Sequence, residues 1–222
     1  MDKEEKQKFL NYLLCFVTEN KKRKMNKIIQ ERTRHVTIVL EDLYQSHNAS
    51  AVLRTAECFG VQDVHVVQKR NQFKAKEGVA MGASKWLSVF SYEDVSFCCS
   101  QLRKKGYRIV ATSPHEQSCS LQELPINKPL ALIFGTEELG LTSEGMRCAD
   151  QTVKIPMYGF TESFNVSVSV ALCLYKIITQ LRGSNVFWRL SDQELLDLHI
   201  QWVRTIVRGA DVLEKRFFSI RF

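Results

Sequence analysis

From Val36 onward the chain alternates short apolar runs with longer stretches of helical periodicity. Val36–Leu40, Val64–Val67, Trp86–Phe90, Arg108–Thr112, Pro129–Phe134 and Thr152–Pro156 are rich in β-branched and aromatic residues and read as strands. Between them, Ser50–Phe59 runs to Gly60 and Tyr92–Lys104 runs to Gly106, each a helix closed by a glycine. Val166–Leu181 is too apolar for a surface helix and ends at Gly183-Ser184-Asn185; burial at an interface between two copies of the chain is expected for it. Strands this continuously apolar need cover on both faces, so the alternation predicts an α/β domain: a mostly parallel sheet with helices on both faces.

The two ends depart from this pattern. Lys3–Asn20 places Phe9, Leu10, Leu13, Leu14, Phe16 and Val17 at amphipathic helical spacing. The run Lys21-Lys22-Arg23-Lys24 follows, then a second helical stretch to about Gln30. Ser191–Val207 reads as the final helix and opens on a capping box, Ser191-x-x-Glu194. The expected division is a helical extension over 1–35, a core domain over 36–181 and a second helical extension over 182–222.

Charge follows the same division. Of the net +7, residues 1–35 carry ten Lys/Arg against five Asp/Glu and residues 182–222 seven against five, while residues 36–181 are balanced. A neutral core with basic ends fits a catalytic domain flanked by polyanion-gripping arms. Lys21, Lys22, Arg23, Lys24, Arg204 and Arg208 are the candidate polyanion contacts, although a charge run at a helix also serves as a solvated face. No apolar run reaches membrane-spanning length, and the N-terminus Met1-Asp2-Lys3-Glu4-Glu5-Lys6 lacks a signal pattern, so a cytoplasmic protein without a membrane partner is expected. Seven cysteines, an odd number without a C-x-x-C pair, support neither a disulfide framework nor a zinc site, and the five histidines lack metal-ligand spacing. No G-x-G-x-x-G follows a strand. Gly135-x-x-x-x-Gly140 has phosphate-loop glycine spacing, but Leu141-Thr142 stands where a lysine is required, which disfavours nucleotide hydrolysis.

Three segments place polar groups where strands or loops meet helices. In the first, His47–Thr55, Asn48 reads as a helix N-cap and Arg54 as a helical residue among Val52, Leu53, Ala56 and Phe59. On one continuous helix the two would be about 240° apart and would not share a face. Local sequence alone reads as a cap followed by a surface arginine; the apolar neighbours argue instead for partial burial of Arg54, which calls for an anionic partner such as Glu137 or an RNA phosphate. In the second, Phe134–Thr142, a strand turns through Gly135 and delivers Glu137 and Glu138. In the third, Ile155–Val168, a loop at Gly159 precedes Ser163 and Asn165, either of which can cap the apolar helix that follows. A helix N-terminus there also favours a cofactor carboxylate or a phosphate.

Taken together and in this order, the segments resemble the three motifs of the SPOUT-class RNA 2′-O-methyltransferases, and most closely the TrmH-type tRNA guanosine-2′-O-methyltransferases. The resemblance runs from about Val36 to Leu181. It implies an α/β SPOUT fold with a C-terminal trefoil knot, a homodimer, S-adenosylmethionine as cofactor, tRNA as partner, and methylation of the ribose 2′-oxygen of the D-loop guanosine at position 18. It implies Arg54 as the catalytic arginine, with Asn48, Glu137, Ser163 and Asn165 at the other polar positions. Thr112, Gly135, Ile155 and Phe164 match the cofactor pocket. The chain departs from the family in Phe160-Thr161-Glu162, which replaces a more apolar run, and in Phe164, which replaces leucine.

The family chemistry takes the arginine as base. A guanidinium holds its proton far above neutral pH, so using it as a base at pH 7 carries a large cost. A charged Arg54 stabilising the developing alkoxide is the alternative. Ribosomal-RNA and anticodon-loop methyltransferases share the motifs; the former often carry a separate N-terminal RNA-binding domain and the latter are nearly bare cores. A non-catalytic RNA-binding protein would not need Asn48, Arg54, Glu137, Ser163 and Asn165 together.

Overall fold

The computed structural model describes residues 1–43, 45–69, 82–114, 118–136 and 138–219. Its helices are α1 (Lys3–Leu14), α2 (Glu19–Ile29), α3 (Ser46–Cys58), α4 (Val95–Lys104), α5 (Ser143–Arg147), α6 (Val166–Arg182), α7 (Asp192–Ile206) and α8 (Ala210–Ser219). The strands are β1 (Val36–Glu41), β2 (Asp63–Val67), β3 (Ser88–Tyr92), β4 (Arg108–Thr112), β5 (Cys119–Ser120), β6 (Leu130–Phe134) and β7 (Gln151–Lys154). Two compact units emerge: Met1–Arg32 with Arg189–Phe222, and Thr33–Trp188.

The larger unit holds a seven-stranded sheet among the described residues, in the order β3-β2-β1-β6-β4-β7-β5, with every pairing parallel. Val64, Ile38, Leu132 and Val110 stand in register across four central strands. They belong to the core on one face, under α3 and α6, together with Val36, Leu40, Leu130 and Phe134. The alternate positions Val39, Ile109, Ala131 and Ile133 turn to the other face and pack with Cys98, Cys99 and Leu102 of α4. This two-residue alternation explains why the central strands are mostly apolar on both faces, with Thr37 and His65 as buried polar exceptions: neither side meets water. The edge strand β3 is largely exposed.

Helix α6 buries one stripe, Val166, Val170, Cys173, Leu174, Ile177, Ile178 and Leu181. Fully burying an aliphatic side chain contributes roughly 1.5–3 kcal/mol, so the stripe fastens this helix to the sheet. Val168, Leu172 and Tyr175 lie on the opposite side and are 43%, 37% and 63% exposed. The smaller unit is helical. Phe9 of α1 contacts Phe217 and Phe218 of α8, with ring centroids 5.3 and 6.1 Å apart, and Lys6 pairs with Asp197 of α7 at 2.6 Å. The guanidinium of buried Arg32 sits 5.6 Å from the Trp202 ring centroid.

Several boundaries differ from expectation. The basic run Lys21–Lys24 lies inside α2, not between two helices, because Met25 and Ile29 give that segment a buried side of its own. The segment expected as a strand from Trp86 begins at Ser88; Gly82, in the left-handed region at φ 73°, starts a short 3₁₀ turn over Ala83–Trp86. Helix α3 starts at Ser46, four residues early. Helices α5 and α8 and the two-residue β5 were not expected. Helix α5 is a single short turn without apolar periodicity, and Gly209 (φ 72°) turns the chain after α7 into α8.

Candidate functional site

The carboxyl ends of β4, β6 and β7 open into a cavity of about 440 Å³. In an α/β sheet this is where loops converge and ligands bind. Phe134, Val153 and Val166 supply apolar lining, Thr112, Ser113, Thr136, Ser163 and Ser169 supply hydroxyls, and Glu138 and Glu162 supply carboxylates. Thr112 is held by its hydroxyl, which donates to the Ile133 carbonyl at 2.9 Å. All four residues proposed for the cofactor, Thr112, Gly135, Ile155 and Phe164, line this cavity, and so does Ser163. The volume falls within the roughly 300–1,000 Å³ of small-molecule sites, and an apolar lining with a few hydroxyls suits a nucleoside-bearing cofactor.

The second segment forms one wall. Thr136 and Gly140 exchange backbone hydrogen bonds, N–H to carbonyl, at 3.0 Å each way. The Thr136 hydroxyl accepts from the Leu139 N–H at 3.1 Å. This closure brings the backbone over Gly135: a Cβ there would lie 2.1 Å from the Gly140 carbonyl carbon and oxygen. Gly135 is therefore required by close approach. Past the turn, Thr142 caps α5 through its hydroxyl, which accepts from the Gly145 N–H at 3.0 Å. The buried carboxylate of Glu41, at the end of β1, accepts from the Thr142 N–H at 2.9 Å and from its hydroxyl at 2.6 Å. Sequence reasoning missed Glu41. Its signal was a carboxylate ending an otherwise apolar strand, which burial obliges to find donors.

The first and third segments meet at a pair of asparagines. Asn165 is the N-cap of α6; its Oδ1 accepts from the Ser167 N–H at 2.9 Å, and its Nδ2 donates to Asn48 Oδ1 at 3.2 Å. Of the two residues able to cap this helix, Asn165 does so and Ser163 is left to the cavity. Asn48 is not a cap: because α3 begins at Ser46, it sits in the first helical turn, buried, with its Nδ2 donating to Gln45 Oε1 at 3.0 Å. The loop residue Gln45 holds the cap position.

Arg54 departs from expectation. It is exposed, and its guanidinium makes no ion pair among the described residues. Helix α3 turns Ala49, Val52, Leu53 and Ala56 into the core, and Arg54 projects away from that side. Asn48 and Arg54 do lie on one helix, on different faces. Neither lines the cavity. Glu137 lies outside the described residues.

In the smaller unit, Lys21, Arg23 and Lys24 are exposed on α2, while Lys22 pairs with Glu19 at 2.6 Å. Arg204 is tied to Asp211 at 2.7 Å and to Glu214, so its charge is already met from α8. Arg208 is exposed at the α7–α8 turn.

Residues 35–175 match the SpoU rRNA Methylase family, and the chain belongs to that family. Within it, the chain is 41% identical to the tRNA (guanosine(18)-2′-O)-methyltransferase of Borreliella burgdorferi, over 93% of this chain and 95% of that protein. It is 31% identical to an enzyme of the same name from Thermus thermophilus, over 78% of this chain and 89% of the relative. The structure resembles the crystal structure of the A. aeolicus TrmH/SpoU tRNA modifying enzyme, with a TM-score of 0.76 and 26% identity over 83% of this chain and 95% of that one.

Proposed function

We propose that this protein transfers a methyl group from S-adenosylmethionine to the ribose 2′-oxygen of guanosine 18 in the D-loop of tRNA. The observation that carries this reading is correspondence over 93% of this chain with a tRNA (guanosine(18)-2′-O)-methyltransferase. A 23S rRNA (guanosine-2′-O-)-methyltransferase from Shewanella oneidensis is 34% identical but corresponds to only 66% of this chain and 60% of that relative, which favours the tRNA substrate.

S-adenosylmethionine supplies an electrophilic sulfonium methyl when bound. Thr112, Gly135, Ile155 and Phe164 would hold it in the cavity, and Ser163 offers a hydroxyl there. The remaining work is to bring a ribose hydroxyl into line and to remove its proton, and such positioning lowers a barrier by holding the reactants in the right geometry. Asn165 and Asn48 couple the N-terminus of α6 to the first turn of α3. Arg54, exposed and without an ion-pair partner among the described residues, is available to an RNA phosphate; its role at the reacting oxygen follows from the family to which the chain belongs, since it does not line the cavity. An arginine that stays charged stabilises the developing alkoxide without the cost of deprotonation. Glu137 belongs to the same proposed polar set.

Three structural readings accompany this function. The C-terminal part of the core domain forms a trefoil knot; the insertion of β6 between β1 and β4, and of β7 between β4 and β5, supports such threading. The protein is a homodimer, which the exposed Val168, Leu172 and Tyr175 stripe on α6 supports. Residues 36–181 form the methyltransferase domain, and the helical extensions 1–35 and 182–222 grip tRNA in the cytoplasm through Lys21, Lys22, Arg23, Lys24, Arg204 and Arg208. No described helix is long and apolar enough to cross a membrane.

Incubating unmodified tRNA transcripts with methyl-labelled cofactor tests the function. The wild-type chain labels tRNA; Arg54→Ala abolishes labelling while tRNA affinity stays within about tenfold, a limit near 1.4 kcal/mol. Labelling of ribosomal RNA but not tRNA would overturn the substrate assignment.

A further inference from the structure

Two acidic residues line the cavity from different segments, Glu138 from the turn after β6 and Glu162 from the loop before α6. Both are exposed, and neither forms an ion pair among the described residues. No lysine or arginine appears in the described lining, so its formal charge at neutral pH is negative and uncompensated. The cavity itself is defined independently of these groups by β4, β6, β7 and α6. Resting on the reading of this cavity as the S-adenosylmethionine site, we propose that Glu138 and Glu162 make it selective for the cationic cofactor over its neutral by-product.

The reaction changes the charge of the bound ligand. In methyl transfer the sulfur–carbon bond breaks with its electrons remaining on sulfur, a carbon–oxygen bond forms to the ribose, and the hydroxyl proton passes to solvent. The sulfonium is thereby converted into the uncharged thioether of S-adenosylhomocysteine, while the amino-acid and nucleoside parts are unchanged. The two ligands thus differ by one methyl and one positive charge. Shape alone discriminates weakly between them, since a methyl contributes little in an apolar pocket. A carboxylate facing the site attracts only the charged form. Across a solvated cavity of this size, that attraction amounts to roughly threefold to tenfold in affinity per carboxylate, and salt screens it.

Calorimetric titration of the full chain with S-adenosylmethionine and with S-adenosylhomocysteine tests this, using wild type, Glu138→Gln, Glu162→Gln and the double variant at low and high salt. The wild type is expected to prefer the cofactor. Each substitution should cut that preference by roughly threefold to tenfold, with by-product affinity held within about twofold as the sign of an intact pocket. High salt should shrink the preference in wild type and not in the double variant. An unchanged preference, or equal weakening of both ligands, overturns the proposal and leaves the cavity assignment standing. Binding of neither ligand by wild type overturns the cavity assignment together with it.

Discussion

Replacing Gly135 with alanine tests the cavity wall by steric overlap alone. The added Cβ would lie 2.1 Å from the carbonyl carbon and oxygen of Gly140 and 2.3 Å from the Leu141 nitrogen. Carbon atoms rest about 3.5–4.0 Å apart, so the turn must open by more than about 1 Å against backbone, which cannot swing aside as a side chain can. Opening it breaks the reciprocal Thr136–Gly140 hydrogen bonds at 3.0 Å. Each such bond contributes about 1 kcal/mol net, and residual overlap adds roughly 1–2 kcal/mol. The expected loss is about 2–4 kcal/mol, which for a chain of this size lowers Tm by roughly 5–15 °C. Because Gly135, Thr136 and Gly140 all line the cavity, cofactor affinity should fall at least tenfold by calorimetry. Gly159→Ala is the matched control: a Cβ there meets nothing within 4 Å, and neither stability nor affinity should move. A Gly135→Ala variant that melts and binds like wild type would refute the closed turn.

Asn165→Ala removes both the α6 cap and the link to Asn48, and should cost about 1–2 kcal/mol in urea unfolding; Asn165→Asp, which keeps the cap acceptor, should recover part of that. Glu41→Ala leaves the Thr142 N–H and hydroxyl without their acceptor and should cost about 2–4 kcal/mol, read by the same assay. Burial, with a lesser contribution from Lys105, depresses His65 to about 4. The unfolded chain then takes up this proton first as pH falls, so the contribution is full above about 6.5 and is lost toward 4. Wild type should lose about 2 kcal/mol more than His65→Gln between pH 7 and 5, and equal losses would contradict a neutral buried imidazole. Changing Lys21, Arg23 and Lys24 together to glutamine should weaken tRNA binding and flatten its dependence on salt; an unchanged slope would remove α2 from the tRNA interface.

The parallel sheet was legible because burial on both faces leaves a mark that needs no tertiary knowledge: β6 is an unbroken apolar run, and β1 and β4 are apolar apart from Thr37 and the polar ends Glu41, Arg108 and Thr112. The edge strand β3 was displaced by two residues because Trp86-Leu87 carries strand-like side chains into a 3₁₀ turn that only the left-handed Gly82 announces. Helix α8 was missed because Arg208-Gly209 looks like a terminus, whereas the aromatics Phe217 and Phe218 find their partner in Phe9, far away in sequence. At the site, local chemistry misled twice. Asn48 has the side chain of a cap, but the helix had already begun two residues earlier. Arg54 sits among apolar residues in the chain, but the helical turn carries it to the outside. What sequence could not supply was convergence: Thr112, Gly135, Ile155, Ser163 and Phe164 share one cavity only because β4, β6 and β7 stand side by side.

The central claim is that the acceptor is a single ribose hydroxyl, and chemistry can remove that hydroxyl without changing the base. A tRNA transcript carrying 2′-deoxyguanosine at position 18, compared with the same transcript carrying guanosine, isolates it. Stoichiometric methyl incorporation is expected into the ribose-containing tRNA and none into the deoxy version, with similar binding of both. Undiminished labelling of the deoxy substrate would contradict it.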